Sequence, residues 1–169
     1  MKNGILGELA NSVRTVPNFP IEGIMFRDIT PILSNHKLLS GLMDKIVKDL
    51  EHLGWYPDII VGPEARGFIF GPLLSTRLNN SFVPIRKPGK LPSKTVKIDY
   101  TLEYGSGSLE IHEDAILPGQ KVLIIDDLLA TGGTVSACID LCKKLGGVVI
   151  GTVFIIELEG LGARDLLRN

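Results

Sequence analysis

Asp126 and Asp127 stand side by side at the end of the apolar run Val122–Ile125. Leu128 and Leu129 follow, and then the small-residue segment Ala130, Thr131, Gly132, Gly133 and Thr134. That order carries chemistry. Glycines accept backbone conformations that turn successive N–H groups to one side, which makes a nest for an anion. The two threonines add hydroxyl donors. A helix starting near Gly133 adds its unpaired N–H groups and the positive end of its dipole. Residues 130–134 therefore suit a phosphate monoester. The segment is neither G-x-x-x-x-G-K nor G-x-G-x-x-G.

Two carboxylates repel a neighbouring phosphate unless they face other groups. The vicinal hydroxyls of a sugar donate hydrogen bonds to carboxylates. One strand end then suits a ribose 5-phosphate, with Asp126 and Asp127 on its 2- and 3-hydroxyls. The same carboxylates favour positive charge developing at the anomeric carbon. The alternative is a capped strand-to-helix turn with solvated acids, and the order of apolar strand, acid pair and ATGGT argues against it.

The elements that must position these residues read as α/β. Residues 3–14 predict a short amphipathic helix, and NFPIEGIMFRDITPIL an irregular segment. Apolar residues from Leu38 to Leu53 recur at helical spacing, with Gly54 as the stop. DIIVG, FVPIRK, KVLIID and VVIGTVFIIEL predict strands, and 67–78 and 132–145 helices. Two alternating runs about GSG predict an antiparallel hairpin. Strands separated by helices give a Rossmann-like, mostly parallel sheet flanked by helices, with the hairpin inserted. Ligands of such sheets sit at the carboxyl ends of the strands. The sites after Gly62, Ile85, Ile125 and Ile156 all fall there.

The chain has 169 residues and a formal net charge of −1. The length favours one domain, 1–169, with its own core. The charge gives no pull toward nucleic acid or an anionic membrane. No apolar run reaches the ~18 residues of a membrane span, and the first residues do not form a signal peptide. The chain reads as cytoplasmic. Cys138 and Cys142 read as buried thiols on one helix face. His36, His52 and His112 have no ligand spacing, so no dedicated protein metal site is expected.

VLIIDDLLATGGT resembles the 5-phosphoribosyl 1-pyrophosphate (PRPP) binding signature of the type I phosphoribosyltransferases. GIMFRDITPIL, VGPEARGFIFGP, IRKPGKLP and LEYGSGSLEIHEDAI are similar, in the same order, to the adenine-using members of that family. The resemblance implies transfer of the phosphoribosyl group from PRPP to adenine, giving AMP and pyrophosphate. A transferase for another purine base is the alternative within the class, and a PRPP-sensing regulatory protein the alternative outside it. It further implies Mg²⁺ held mainly by PRPP and pyrophosphate, a homodimer, and a cis peptide at Glu64–Ala65, and members of the family commonly continue with a further apolar, aromatic segment past the position of Asn169.

Residue by residue, Arg66 is expected on the pyrophosphate, with Arg86, Lys87 and Lys90 as a second basic patch. Residues 86–113 are expected to form a flexible loop and hairpin lid that excludes water. Residues 1–35 are expected to form a small hood that binds the base. There the main chain of Met25 and Arg27 reads adenine, in a segment whose backbone groups are not spent in a ladder. Phe26 covers one face of the base and Leu158 the other. Glu103 and Tyr104 are the lid acid and aromatic, with Glu103 expected to manage the proton that adenine loses or, alternatively, only to orient the lid or the sugar.

Overall fold

The structure, a computed structural model, describes residues 4–102 and 105–167. Contacts group the chain into two compact units, residues 1–53 and 54–169.

In the first unit α1 (Ile5–Ser12) packs on α3 (His36–Leu53). Gly41 permits the approach, since a Cβ there would lie 2.9 Å from Ile5 Cδ1. The spacing of Leu38, Leu42, Met43, Ile46 and Leu50 gives α3 one buried face. Asn35 caps it, its Oδ1 accepting from the N–H groups of Lys37 and Leu38 at 3.2 and 3.3 Å.

The segment expected to be irregular is more ordered than that. β1 (Arg14–Pro17) and β2 (Met25–Asp28) pair antiparallel, with Arg14 opposite Asp28 and Pro17 opposite Met25. Asn18 at φ 58° and Gly23 at φ 87° turn the chain between them, and the Asn18 side chain accepts the Gly23 N–H at 2.9 Å. The short helix α2 (Thr30–Leu33) follows, held at its start by Asp28, which accepts from both the N–H and the hydroxyl of Thr30 at 2.9 Å.

The second unit is built on β3 (Ile59–Pro63), β4 (Ser81–Ile85), β7 (Lys121–Leu129) and β8 (Val148–Glu157). They form one parallel sheet in the order β4-β3-β7-β8. β3 is buried along its whole length, as expected of a central strand covered on both faces. The helices α4 (Gly67–Leu78) and α5 (Gly133–Lys144) return the chain between strands, and α6 (Ala163–Leu167) closes it.

The hairpin is β5 (Thr95–Leu102) with β6 (Gly105–His112). The GSG expected at its turn lies instead at the start of β6, with Gly107 opposite Tyr100. Gly107 is needed there because the Tyr100 ring covers it, within 2.7 Å of where a Cβ would sit. Leu109 and Ile111 of β6 are buried in the main core, and β5 packs on α5. The stem of the hairpin is therefore structural. Among the described residues no helix is long and apolar enough to cross a membrane.

One packing chain runs from the core toward the sheet end. A Cβ on Gly71 would lie 2.1 Å from the Phe82 ring. Phe82 meets Phe68 edge to face at 5.9 Å, and the Arg86 guanidinium lies 5.8 Å from the centre of the Phe68 ring. Gly71→Ala should therefore displace Phe82 and destabilise the protein by about 1–3 kcal/mol, measured by urea unfolding. An unchanged midpoint would show that the ring moves aside freely.

Candidate active site

The carboxyl ends of β3 and β7 open into a cleft of about 250 Å³. Its walls include residues 63–66 from one loop and 126–135 from the other, so Arg66, Asp126, Asp127 and all of 130–134 come together. α5 begins at Gly133, after Gly132 at φ 90°, a conformation that favours glycine. α6 supports this loop from behind. A Cβ on Gly132 would lie 3.1 Å from Leu166 Cδ2 and 3.4 Å from Ala163 Cβ.

The acid pair sits in low dielectric. Asp127 is only 2% exposed, and Asp126 is half-buried. Asp126 Oδ1 accepts the Asp127 N–H at 2.9 Å. Asp127 Oδ2 is 3.0 Å from Arg66 Nη1, an ion pair, yet it is buried and accepts no well-aligned hydrogen bond. Burial pushes Asp126 up to about 7, and the charge of Asp127 beside it adds to the shift. Burial raises Asp127 too, and the Arg66 guanidinium pulls it back. Both carboxylates are thus held in a site that disfavours their charged forms.

Arg66 comes from the loop between β3 and α4, which lies close against the sheet. A Cβ on Gly67 would be 2.9 Å from Pro63 Cδ and 3.0 Å from the Ile125 carbonyl oxygen. The Glu64–Ala65 peptide is cis, as the resemblance implied. Glu64 was not singled out in the sequence. Its carboxylate accepts from Arg86 Nε at 2.7 Å, and its N–H donates to the Ile85 carbonyl at 2.9 Å. Position beside a strand-end arginine was the available signal. Cys138 also lines the cleft unforeseen. Its thiol is fully buried, and burial pushes its pKa well up.

The other expected site residues are placed as follows. Lys87 and Lys90 are exposed on the loop after β4. Arg86 is half-buried against Glu64 and Phe68. Leu158 is half-buried just past β8, its N–H donating to the Leu129 carbonyl at 2.9 Å. Met25, Phe26 and Arg27 belong to the first unit. There Phe26 meets Phe19 edge to face at 5.1 Å, and Arg27 donates to the Thr15 hydroxyl. The backbone of 25–28 is in part spent on β1, which corrects the expectation of an unladdered segment. Glu103 and Tyr104 lie outside the described residues.

The comparisons with known proteins agree with this architecture. The family "Phosphoribosyl transferase domain" matches residues 28–164. An adenine phosphoribosyltransferase of Methanococcus maripaludis is 54% identical over 162 residues, spanning 96% of this chain and 93% of that protein. The crystal structure of the adenine phosphoribosyltransferase from Thermoanaerobacter pseudethanolicus superposes with a TM-score of 0.92 at 50% identity, covering 96% of this chain and 93% of the other. That of the Saccharomyces cerevisiae enzyme, complexed with an imino-altritol bisphosphate and adenine, gives 0.92 at 42% identity, covering 95% and 93%. Matched over residues 28–164 and more than half identical to such a relative over nearly its whole length, this chain belongs to the phosphoribosyltransferase family.

Proposed function

We propose that this protein transfers the 5-phosphoribosyl group of PRPP to adenine, forming AMP and pyrophosphate in purine salvage. The observation that carries the reading is the acid pair at the end of β7, directly before the anion cradle and facing Arg66 across one cleft. The likeness to adenine phosphoribosyltransferases over nearly the whole chain supports the choice of base.

In this reading residues 130–134 hold the 5-phosphate, and Asp126 and Asp127 accept from the ribose hydroxyls. Those donors relieve the buried charge that the free cleft carries. Arg66, Lys87 and Lys90 draw the pyrophosphate. The adenine nitrogen bonds to the anomeric carbon as the carbon–oxygen bond to pyrophosphate breaks, and pyrophosphate leaves with that electron pair. The carboxylates stabilise the oxocarbenium-like state between. The proton lost from adenine passes to a base, a role given to Glu103. Phe26 and Leu158 are the apolar contacts of the base. Ile24 turns its carbonyl toward the Phe19 N–H, at 3.3 Å. By strand alternation the main-chain groups of Met25 and Arg27 would lie at the other edge of β2, and this reading assigns them to the base.

Mg²⁺ fits this site as an ion carried by the substrate. Among the described residues no three His, Cys, Asp or Glu side chains converge on one point, whereas PRPP brings its own phosphate and hydroxyl oxygens. When bound, the ion supplies neutralising charge to the departing pyrophosphate. A homodimer in the cytoplasm completes the proposal, and sedimentation tests the first of these.

The direct test is AMP formation from PRPP and adenine, and its absence with active-site residues intact would refute the reading. Asp126→Asn and Asp127→Asn should each raise the KM for PRPP about tenfold to a hundredfold, the value of a charge-assisted hydrogen bond. The same Asp126 substitution should help the free protein. A carboxyl raised to about 7 gives the fold stability below the ordinary carboxylate range and loses it as pH rises through 7. Asp126→Asn should thus melt about 2–4 °C above the parent at pH 8, with the gap closing toward pH 5. A variant less stable than the parent at pH 8 would contradict the strained-acid account.

Base choice gives a separate prediction. Adenine presents a donor beside a ring acceptor, and hypoxanthine reverses both. Main-chain groups at Met25 and Arg27 that pair with one pattern oppose the other, at ~1–3 kcal/mol per unpaired group. Adenine should be preferred about a thousandfold or more, and Phe26→Ala should weaken both bases alike. Hypoxanthine turnover within tenfold of adenine would overturn the base assignment and leave phosphoribosyl transfer standing.

A further inference from the structure

Arg86 was expected to bind pyrophosphate, but its surroundings engage it elsewhere. Its Nε donates to Glu64 Oε2 at 2.7 Å, and its Nη1 donates to the Lys90 carbonyl at 3.1 Å. Its face lies over the Phe68 ring, 5.8 Å from the centre. Its backbone exchanges two hydrogen bonds with Glu110 of β6, at 2.9 and 2.7 Å. The Glu110 carboxylate in turn accepts the Gly89 N–H at 3.2 Å. The Glu64 and Arg86 side chains are 14% and 35% exposed, which shields the pair more than a surface ion pair.

β3 lies between β4 and β7 in the sheet, so its loop has a neighbour on each side. Two ion pairs of opposite polarity tie it. Glu64 reaches Arg86 at the end of β4, and Arg66 reaches Asp127 near the end of β7. They differ in what a substrate could exchange. Asp127 Oδ2 faces Arg66 without a well-aligned hydrogen bond, so that pair is the looser of the two. The Glu64–Arg86 tie is already made with good geometry, and breaking it would strand a largely buried carboxylate.

We propose that Arg86 and Glu64 are positioning residues. Through Glu64, Arg86 holds the loop that presents Arg66; through the Lys90 carbonyl, it holds the loop that presents Lys87 and Lys90. The pair sets two cationic loops at a fixed spacing for one pyrophosphate, and Arg86 itself does not contact it. The role rests on the phosphoribosyl-transfer reading, but the tie does not.

The experiment is a double-mutant cycle on the full chain with Glu64→Ala, Arg86→Ala and both together, with Glu64→Gln as the conservative variant. The readouts are KM for PRPP, kcat, and trypsin cleavage after Lys90 in the absence of substrate. Partners in one tie are non-additive. Each single alanine variant should raise the KM for PRPP by a similar factor, about tenfold, with kcat less affected. The double variant should lose no more than either single one, and Glu64→Gln should recover part of the loss. Cleavage should quicken in both single variants, a readout that stands even if the protein never makes AMP. A double-variant loss equal to the product of the single losses, with Arg86→Ala far the worse, would mean that Arg86 binds pyrophosphate directly and would overturn the proposal. Cleavage at the parent rate in both single variants would overturn the tie itself.

Discussion

The site depends on a negative charge that folding alone leaves poorly satisfied. Asp127 is buried at the end of β7, within 3.0 Å of one guanidinium nitrogen and without a well-aligned donor on that oxygen. Asp126 sits next to it and is pushed up to about 7. Hydrophobic burial of Val122–Ile125 places the pair there, because the strand direction delivers its carboxyl end to the cleft. The fold thus keeps two poorly solvated carboxylates at the cleft, where the proposed ribose would meet them. Binding then gains from groups that cost stability in the free protein.

Other features of the second unit serve this placement. Gly67 lets the β3–α4 loop close on the Ile125 carbonyl, which brings Arg66 to Asp127. The hairpin stem is anchored by Leu109 and Ile111 in the core, and the bridge between Arg86 and Glu110 joins it to the end of β4. The hairpin stem is therefore part of the core packing rather than a free insertion. The rigid part holds loop bases at fixed positions, and the exposed lysines at 87 and 90 extend from them.

Much of this was legible in the sequence because it is local. The order of apolar strand, acid pair and ATGGT puts both carboxylates and residues 130–134 at one strand end, and all of them line one cleft. The 3.6-residue spacing sets α3, and the Arg66 strand end marks a second loop. Three features were not legible. Pro17, Pro20 and Gly23 punctuate the chain so closely that the short β1–β2 pair reads as irregular, although four residues on each strand suffice to pair. The glycines of GSG look like a turn, yet Gly107 serves to admit the Tyr100 ring from the opposite strand. Glu64 reads as a solvated loop acid, because its partner is 22 positions away and only the parallel pairing of β3 with β4 brings them together.

The central claim is that substrate hydroxyls relieve a buried acid pair in which Asp126 is pushed up to about 7. Calorimetric titration of PRPP with Mg²⁺, in buffers of differing ionisation enthalpy, measures the protons released on binding. At pH 6.5 the parent should release up to about one proton more per site than Asp126→Asn, since hydrogen bonds to the carboxylate favour its charged form. At pH 8.5, with Asp126 already ionised, that difference should vanish. Equal proton release by parent and variant at both pH values would contradict the account.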